Sequence, residues 1–325
     1  MKRQLIDQRH ASLKLPSAVP VPEVVAYAGE EASRRYIEYF TARIRNASTR
    51  DAYLRAVNRF LYWCASLGIE LADIEPIVVA TYIEQLTDQY AAPTVKQHLA
   101  AIRMMCDYLV TGHIIQFNPA SAVRGPKHSV KKGKTPVLST EEARQLIDGI
   151  DTSTIIGLRD RALIGVMLFS FARISAALQM NVDDFFPQGR RMWLRLHEKN
   201  GKYHEVPVHH TLEDYLDDYL SASGIDAERR SALFRTVGNH RTLTPNRMHR
   251  SDALRMIKRQ AKNSGLPDAI CCHSWRATGI TAYLSHGGSL ENAMNIACHS
   301  SATTTKLYDR TSDDVSLDEI ERIRI

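Results

Sequence analysis

One segment of the sequence, from residue 118 to residue 135, limits the possible folds more than any other. It opens with Asn118-Pro119, and residues 124–134 carry five basic side chains and no acidic one. No apolar period runs through it, so a helix or strand here would have no face to bury. We therefore predict an extended basic linker between two domains. A chain of 325 residues suits this division, because chains of such length usually exceed a single hydrophobic core.

The part of the chain before the linker has the apolar spacing of helices. Five side chains fall on one helical face: Tyr53, Val57, Phe60, Leu61 and Cys64. Ser48 is the predicted N-cap of that helix, and Pro76 and Pro93 stand where two further helices would begin. Residues 31–117 are thus predicted to form a bundle of about four helices. Residues 1–30, with three prolines and no sustained period, are predicted to be an extended arm.

The second domain, predicted for residues 136–311, combines helices with a small sheet. A long apolar helix is predicted over residues 159–171. Residues 192–197 alternate between apolar aliphatic and other side chains, which predicts a strand, and Asn200-Gly201 predicts a two-residue hairpin turn. The fold class is therefore mainly α. It comprises an all-helical first domain and a mixed α+β second domain with a small β-sheet or hairpin.

The charge distribution favours a polyanionic partner. Net charge is +6, and residues 1–134 account for all of it, with 18 Lys and Arg residues against 12 Asp and Glu residues. The last 15 residues, in contrast, hold five acidic and two basic side chains. A basic linker attracts nucleic acid, although a solvated linker without a ligand would have the same composition.

Composition also bears on where the protein works. The longest unbroken apolar run, residues 162–169, is too short to span a bilayer, so we expect no membrane partner. The five cysteines are odd in number and sit in a long chain, which is typical of reduced thiols in a cytosolic protein. We therefore expect a cytoplasmic protein.

Four clusters in the second domain carry the residue types that phosphodiester cleavage needs. They are residues 171–175, residues 198–202, residues 273–276, and His299 together with Tyr308. Covalent cleavage requires an oxygen nucleophile, a base to activate it, an acid for the leaving oxygen, and donors for the non-bridging oxygens. Arginine suits the last task, because its planar fork grips two oxygens and stays charged. Taken singly, each cluster also fits a surface or structural role; taken together, they supply every function.

The spacing of the last two clusters resembles the tyrosine recombinase, or phage integrase, family. The family's second motif is His-x-x-Arg, followed about two dozen residues later by a His and nine residues after that by a Tyr. This sequence has His273 and Arg276, then His299 after 23 residues, then Tyr308 after nine more.

The first two clusters add to the resemblance, which covers roughly residues 31–312. The family's first motif, Gly-Leu-Arg-[Ile/Val]-Ser-Glu, matches from Arg173 through Ser175. The family's lysine hairpin, in which the catalytic lysine precedes the turn, matches Lys199 rather than Lys202. The resemblance implies a core-binding (SAM-like) first domain and a simple two-domain layout of the Xer or Cre type.

The resemblance also implies a mechanism and six catalytic residues: Arg173, Lys199, His273, Arg276, His299 and Tyr308. Tyr308 would attack the scissile phosphate and form a 3′-phosphotyrosyl bond. The two arginines would clamp the non-bridging oxygens, and His299 would add a hydrogen bond. Lys199 would protonate the leaving 5′ oxygen, and His273 would be the base for the tyrosine. No cofactor and no metal are implied.

Double-stranded DNA is the implied partner, bound by a homo-tetramer built as a pair of dimers, with a sister recombinase as a further partner to consider. We predict DNA contacts from the helix that opens at Pro93 and from the linker: Thr94, Lys96, Gln97, Arg103, Lys127, Lys131 and Lys132. The tail, residues 312–325, is expected to dock on the neighbouring protomer, with packing on its own protomer as the alternative.

Three positions depart from the family pattern. Ala176 stands where an acid that supports the active site is usual, Cys298 replaces a glycine, and Ala172 replaces a common leucine. Arg173 or its neighbours are therefore expected to be held differently here from the usual family pattern. Three other readings also remain open: a type IB topoisomerase-like enzyme, a non-catalytic DNA-binding relative, and a metal site built from the cysteines and histidines around residues 271–273 and 298–299.

Overall fold

The computed structural model describes residues 20–128, 133–198 and 203–309. The chain divides into two compact units, residues 1–129 and residues 130–325. The boundary between them falls inside the predicted linker, and each unit has a hydrophobic core of its own. In the part of the chain that the structure describes, no helix has both the length and the apolar character needed to cross a membrane.

The first unit is helical throughout its described elements. They are α1 (Glu23–Tyr27), α2 (Glu30–Glu38), a turn of π-helix (Tyr39–Arg43), α3 (Ala47–Ser66), a short 3-10 turn (Leu71–Asp73), α4 (Pro76–Gln89) and α5 (Ala92–Thr111). Helix α4 begins at Pro76 as predicted. The N–H that proline lacks would have no partner within the helix at a first helical position. The all-helical first domain is confirmed.

Two local predictions for this unit are wrong. The extended arm does not continue to residue 30, because α1 forms there and buries Val24 and Val25 in the core. A single apolar pair is too short to show a helical period. The N-cap of α3 is Asn46 rather than Ser48, since Asn46 Oδ1 accepts a hydrogen bond from the Thr49 N–H at 3.0 Å.

The second unit mixes helices with two small antiparallel sheets. Its helices are α6 (Thr140–Asp148), α7 (Ile155–Phe169), α8 (Ile174–Gln179), α9 (His210–Ser223), α10 (Arg250–Asn263), α11 (Cys272–Ser285), α12 (Leu290–Ile296) and α13 (Ala302–Lys306), with a 3-10 turn (Val182–Asp184). Its strands are β1 (Phe185–Gln188), β2 (Arg191–His197), β3 (Tyr203–Pro207), β4 (Arg235–Val237) and β5 (Leu243–Arg247). The predicted mixed α+β domain is confirmed.

The predicted strand pattern corresponds to β2, the central strand of the sheet β1-β2-β3. Leu194 and Leu196 are fully buried, as alternation requires when one sheet face packs on the core. The β2–β3 pairing runs from Trp193 opposite Pro207 to His197 opposite Tyr203. The predicted turn, Asn200-Gly201, lies outside the described residues.

Helices α7 and α11 pack closely, and their contact sets up the site. A Cβ at Gly279 of α11 would lie only 2.0 Å from the carbonyl oxygen of Leu168, so only glycine permits this approach. The predicted helix over residues 159–171 begins earlier and ends at Phe169. The chain then leaves the helix through Phe171, whose φ of 53° lies in the left-handed region, and reaches Arg173.

Candidate active site

Tyr308 and His273 are in direct contact in the second unit. The Tyr308 hydroxyl lies 2.6 Å from His273 Nε2, although the two residues are 35 positions apart. His273 is in the first turn of α11, and Tyr308 follows α13. The Thr281 hydroxyl of α11 donates a hydrogen bond to the Tyr308 carbonyl at 2.9 Å, which fixes the backbone of Tyr308 beside His273.

The protonation states of this pair suit proton transfer from tyrosine to histidine. Burial, and then the charges of Arg276 and Arg173, lower the pKa of His273, although the residue as a whole is exposed. Burial raises the pKa of Tyr308, while Arg276 and Arg173 oppose that shift. At neutral pH the tyrosine is therefore protonated and the histidine neutral. A neutral imidazole nitrogen that faces a hydroxyl can accept its proton.

Arg276 is a buried cation anchored to the backbone. It is 1% exposed on α11. Its Nη1 donates to the Phe171 carbonyl, and its Nη2 donates to the Ala297 carbonyl at 2.6 Å. Burial, and then the charge of Arg173, lower its pKa to about 10, which leaves it charged at neutral pH. Its buried Nε–H meets no acceptor in the part of the chain described.

His299 holds the Arg276 guanidinium from a second direction. Arg276 Nη2 lies 2.6 Å from His299 Nε2, and His299 Nδ1 lies 2.9 Å from Thr305 Oγ1. Because a guanidinium can only donate, Nε2 is the acceptor and the ring proton sits on Nδ1. Burial, and then the charges of Arg276 and Arg173, lower the pKa of His299 to about 4, so the ring is neutral.

Arg173 reaches the same group of residues from the start of α8, where it is the N-cap. Its Nη1 donates to Glu198 Oε2 at 2.6 Å. The Arg173 side chain is 33% exposed, whereas that of Glu198 is 6% exposed. The structure therefore brings together five of the six predicted catalytic residues: Arg173, His273, Arg276, His299 and Tyr308.

The sixth, Lys199, lies outside the described residues. The strands that flank it are tied to the site on both sides. Glu198, which follows the end of β2, binds Arg173, and His204 Nε2 of β3 donates to the Ile296 carbonyl of α12 at 2.8 Å. The position of the lysine stays a prediction.

Sequence reasoning missed the roles of two of these contact residues. Glu198 belonged to the hairpin cluster, but its pairing with Arg173 joins β2 to α8 over 25 positions and has no signature in either segment. Thr305 is fully buried and receives the His299 hydrogen bond. No spacing rule distinguishes it from the other threonines of α13.

The departures from the family pattern have clear structural settings. Cys298 has a φ of 48°, in the left-handed region where glycine is favoured. Ala172 and Ala176 are both buried, and Ala176 lies in the first turn of α8.

Within the described residues, no group of three or more His, Cys, Asp or Glu side chains is placed to hold a metal ion.

The predicted DNA-binding residues of the first unit lie on α5 and beyond it. Lys96 and Gln97 are exposed on α5, and Thr94 is half-buried in its first turn. Lys127 is exposed after that helix. Two further predicted residues lie outside the described residues: Lys131 and Lys132. DNA contact at these positions stays a prediction.

Arg103 has a structural task in addition to the DNA contact predicted for it. Its Nε donates to the Ala120 carbonyl at 3.1 Å, and its Nη2 donates to the Val123 carbonyl at 2.8 Å. Asn118 Nδ2 in turn donates to the Arg103 carbonyl at 3.0 Å. The first residues of the predicted linker are therefore fastened to α5 and bury Ala120 in the core of the first unit.

Models of known protein families match both units of the chain. Residues 136–314 match the model of the phage integrase family, and residues 34–112 match the phage integrase N-terminal SAM-like domain. The tyrosine recombinase XerD of Chlorobaculum tepidum is 26% identical over 298 residues, which cover 86% of this chain and 92% of the relative.

Solved structures share the fold at low sequence identity. The XerH site-specific recombinase bound to a palindromic difH substrate, in a post-cleavage complex, has a TM-score of 0.68 at 17% identity and covers 94% of this chain and 90% of its own. A lambda integrase tetramer bound to a Holliday junction has a TM-score of 0.66 at 16% identity and covers 96% of this chain and 89% of its own. With both units matched by its models, the chain belongs to the phage integrase family, the tyrosine-type site-specific recombinases that break and rejoin DNA strands.

Proposed function

We propose that Tyr308 attacks the scissile phosphate of one DNA strand, forms a 3′-phosphotyrosyl bond and frees a 5′-hydroxyl. The observation that carries this proposal is the 2.6 Å contact between the Tyr308 hydroxyl and His273 Nε2, next to the buried cation Arg276. His273 accepts the tyrosine proton as the bond to phosphorus forms. The covalent link keeps the phosphodiester energy, so a 5′-hydroxyl from another strand can reseal it without ATP, cofactor or metal.

The two arginines bind the non-bridging oxygens, where negative charge increases during attack. Arg276 lies next to Tyr308, and its position is set before DNA arrives by the Phe171 and Ala297 carbonyls. His299 supports this arrangement as an acceptor from Arg276, so the hydrogen bond to phosphate that the resemblance implies requires its Nε2 to change partner. In the DNA-free protein, His299 orients Arg276.

Lys199 is the proposed acid for the leaving 5′ oxygen. Support comes from the resemblance and from its neighbour in the sequence, Glu198, which binds Arg173. An ammonium donor lowers the barrier because the departing oxygen develops negative charge.

The proposed partner is double-stranded DNA, bound by a homo-tetramer arranged as a pair of dimers, and the protein would then be associated with the nucleoid. Support comes from the shared fold with a recombinase tetramer on a Holliday junction. The amphipathic, acidic tail, residues 312–325, is proposed to dock on the neighbouring protomer. A sister recombinase that occupies half of the assembly is a further proposal, which assembly assays with the purified chain alone would test.

A nicked suicide substrate tests the nucleophile. Because the fragment that carries the 5′-hydroxyl diffuses away, the covalent protein–DNA complex accumulates. Wild-type protein should form this complex, and Tyr308→Phe, which keeps the ring and loses the hydroxyl, should form none. Normal trapping by Tyr308→Phe would show that another residue is the nucleophile.

A second assay separates recombination from topoisomerase-like nicking and resealing. Two paired sites with different flanks should yield exchanged products, which a nicking and resealing enzyme would not produce. A non-catalytic relative would bind the site and form neither covalent complex nor exchanged product.

A further inference from the structure

Helix α8 lacks a carboxylate in its first turn, where the family pattern has one. Arg173 is its N-cap, and Ala176, three residues later, is fully buried. A carboxylate at residue 176 would share a helical face with Arg173 and would complement the positive end of the helix dipole. The methyl group of Ala176 does neither.

Glu198 places a carboxylate against Arg173 from a different element. Its side chain is 6% exposed, and its Oε2 lies 2.6 Å from Arg173 Nη1. A carboxylate buried to this degree requires a charged partner, because an unpaired buried charge is costly. The pairing also limits the rotamers of an arginine whose side chain is 33% exposed.

The same carboxylate offsets the repulsion between two neighbouring guanidinium groups. The charge of Arg173 lowers the pKa of Arg276, whereas the charge of Glu198 raises it. Before DNA supplies its phosphate, Glu198 is thus an anion that makes it less costly to hold both arginines at one site.

We infer that Glu198 is the residue that positions Arg173, and that it takes over the task of the carboxylate absent at Ala176. The inference rests on the proposed role of Arg173 at the scissile phosphate. Glu198 contacts no reacting atom in this scheme; it acts through Arg173 alone.

The matched control for this inference is on the same hairpin. Arg195 Nε of β2 donates to Glu205 Oε1 of β3 at 2.9 Å, which is the same kind of pair with both side chains more than a third exposed. Neither residue belongs to the proposed catalytic group. If Glu198 supported cleavage only by stabilising this part of the fold, Glu205→Gln and Glu198→Gln would slow cleavage to a similar extent.

The test measures the single-turnover rate of covalent complex formation on the suicide substrate, together with DNA affinity and thermal unfolding. Partners that orient a functional side chain typically contribute about 10- to 100-fold, so Glu198→Gln should slow cleavage by that factor. DNA affinity and the melting temperature should change little, and Glu205→Gln should cleave at the wild-type rate.

A double-mutant cycle decides whether Glu198 acts through Arg173. In an Arg173→Ala background, Glu198→Gln should cause no further loss of rate. A further tenfold loss there, or a wild-type rate for Glu198→Gln alone, would each overturn the inference. Failure of the proposed function looks different, because wild-type protein would then form no covalent complex, or Tyr308→Phe would form it.

Discussion

Arg276 and Arg173 are predicted to share one task, yet they are held in different ways. Arg276 lies on α11, is 1% exposed and donates to two backbone carbonyls, those of Phe171 and Ala297. Arg173 lies at the start of α8, is 33% exposed and binds the carboxylate of Glu198. The first arginine is part of the core, whereas the second is a half-exposed side chain with one ionic partner.

Because the two arginines are held differently, their substitutions should have different effects on stability, although both should slow cleavage. Loss of Arg276 leaves buried carbonyl oxygens without donors, and unsatisfied buried polar groups destabilise a fold. Arg173→Lys keeps a cation that can still pair with the buried carboxylate of Glu198. Substitution of either arginine by lysine should impair phosphate binding in the transition state, but only that of Arg276 should weaken the folded state.

The largest expected effect tests that separation directly. Arg276→Lys should lower the rate of covalent complex formation by about 100- to 1,000-fold, the usual loss for a donor to developing charge. It should also lower the free energy of unfolding by about 1–3 kcal/mol, because one ammonium cannot reach both carbonyls and His299. Arg173→Lys should cause a loss of rate of the same order with an unchanged melting temperature. Equal destabilisation by both variants would contradict the comparison.

The position of Arg276 also depends on the close packing of its helix, α11, against α7. A Cβ at Gly279 would lie 2.0 Å from the Leu168 carbonyl, so Gly279→Ala must push α11 away from α7. We expect a loss of about 1–3 kcal/mol in unfolding free energy. Gly238→Ala is the matched control, since its nearest neighbour would be 3.5 Å away. Chemical denaturation of both variants measures the difference, and equal stability of the two would show that the helix contact can relax.

Parts of this arrangement were predictable from the sequence, and the reason is local geometry. His273 and Arg276 share a helix turn, and their distances along the chain to His299 and Tyr308 match a family pattern, so these members could be named in advance. The burial of β2 followed from its alternation. The pair Arg173–Glu198 and the anchor at Ala297 could not be predicted, because each depends on elements that meet only in the folded unit.

A smaller effect concerns the pKa of His273, which the charge of Arg173 helps to lower. Burial, Arg276 and Arg173 lower the pKa of His273 from its ordinary 6.5, so the cleavage rate should fall on acidification only below that pH. Arg173→Gln removes one cation and should raise the pKa of His273, which moves the acid limb to higher pH. Single-turnover cleavage from pH 4.5 to 8 measures the limb. Arg195→Gln, with a cation lost away from the site, should leave it in place, and a downward move for Arg173→Gln would contradict the assignment.

The smallest expected effect concerns Cys298, the residue before His299, which binds Arg276. Cys298 has a φ of 48°, and a non-glycine residue in the left-handed region costs about 1–2 kcal/mol. Glycine removes that strain but adds about 0.5–1 kcal/mol of backbone entropy loss on folding, so Cys298→Gly should stabilise the protein by about 0.5–1 kcal/mol. The Cys298→Ala variant keeps the Cβ and therefore the strain, and denaturation should show no gain for it. A gain of equal size in both variants would trace the effect to the thiol rather than to backbone strain.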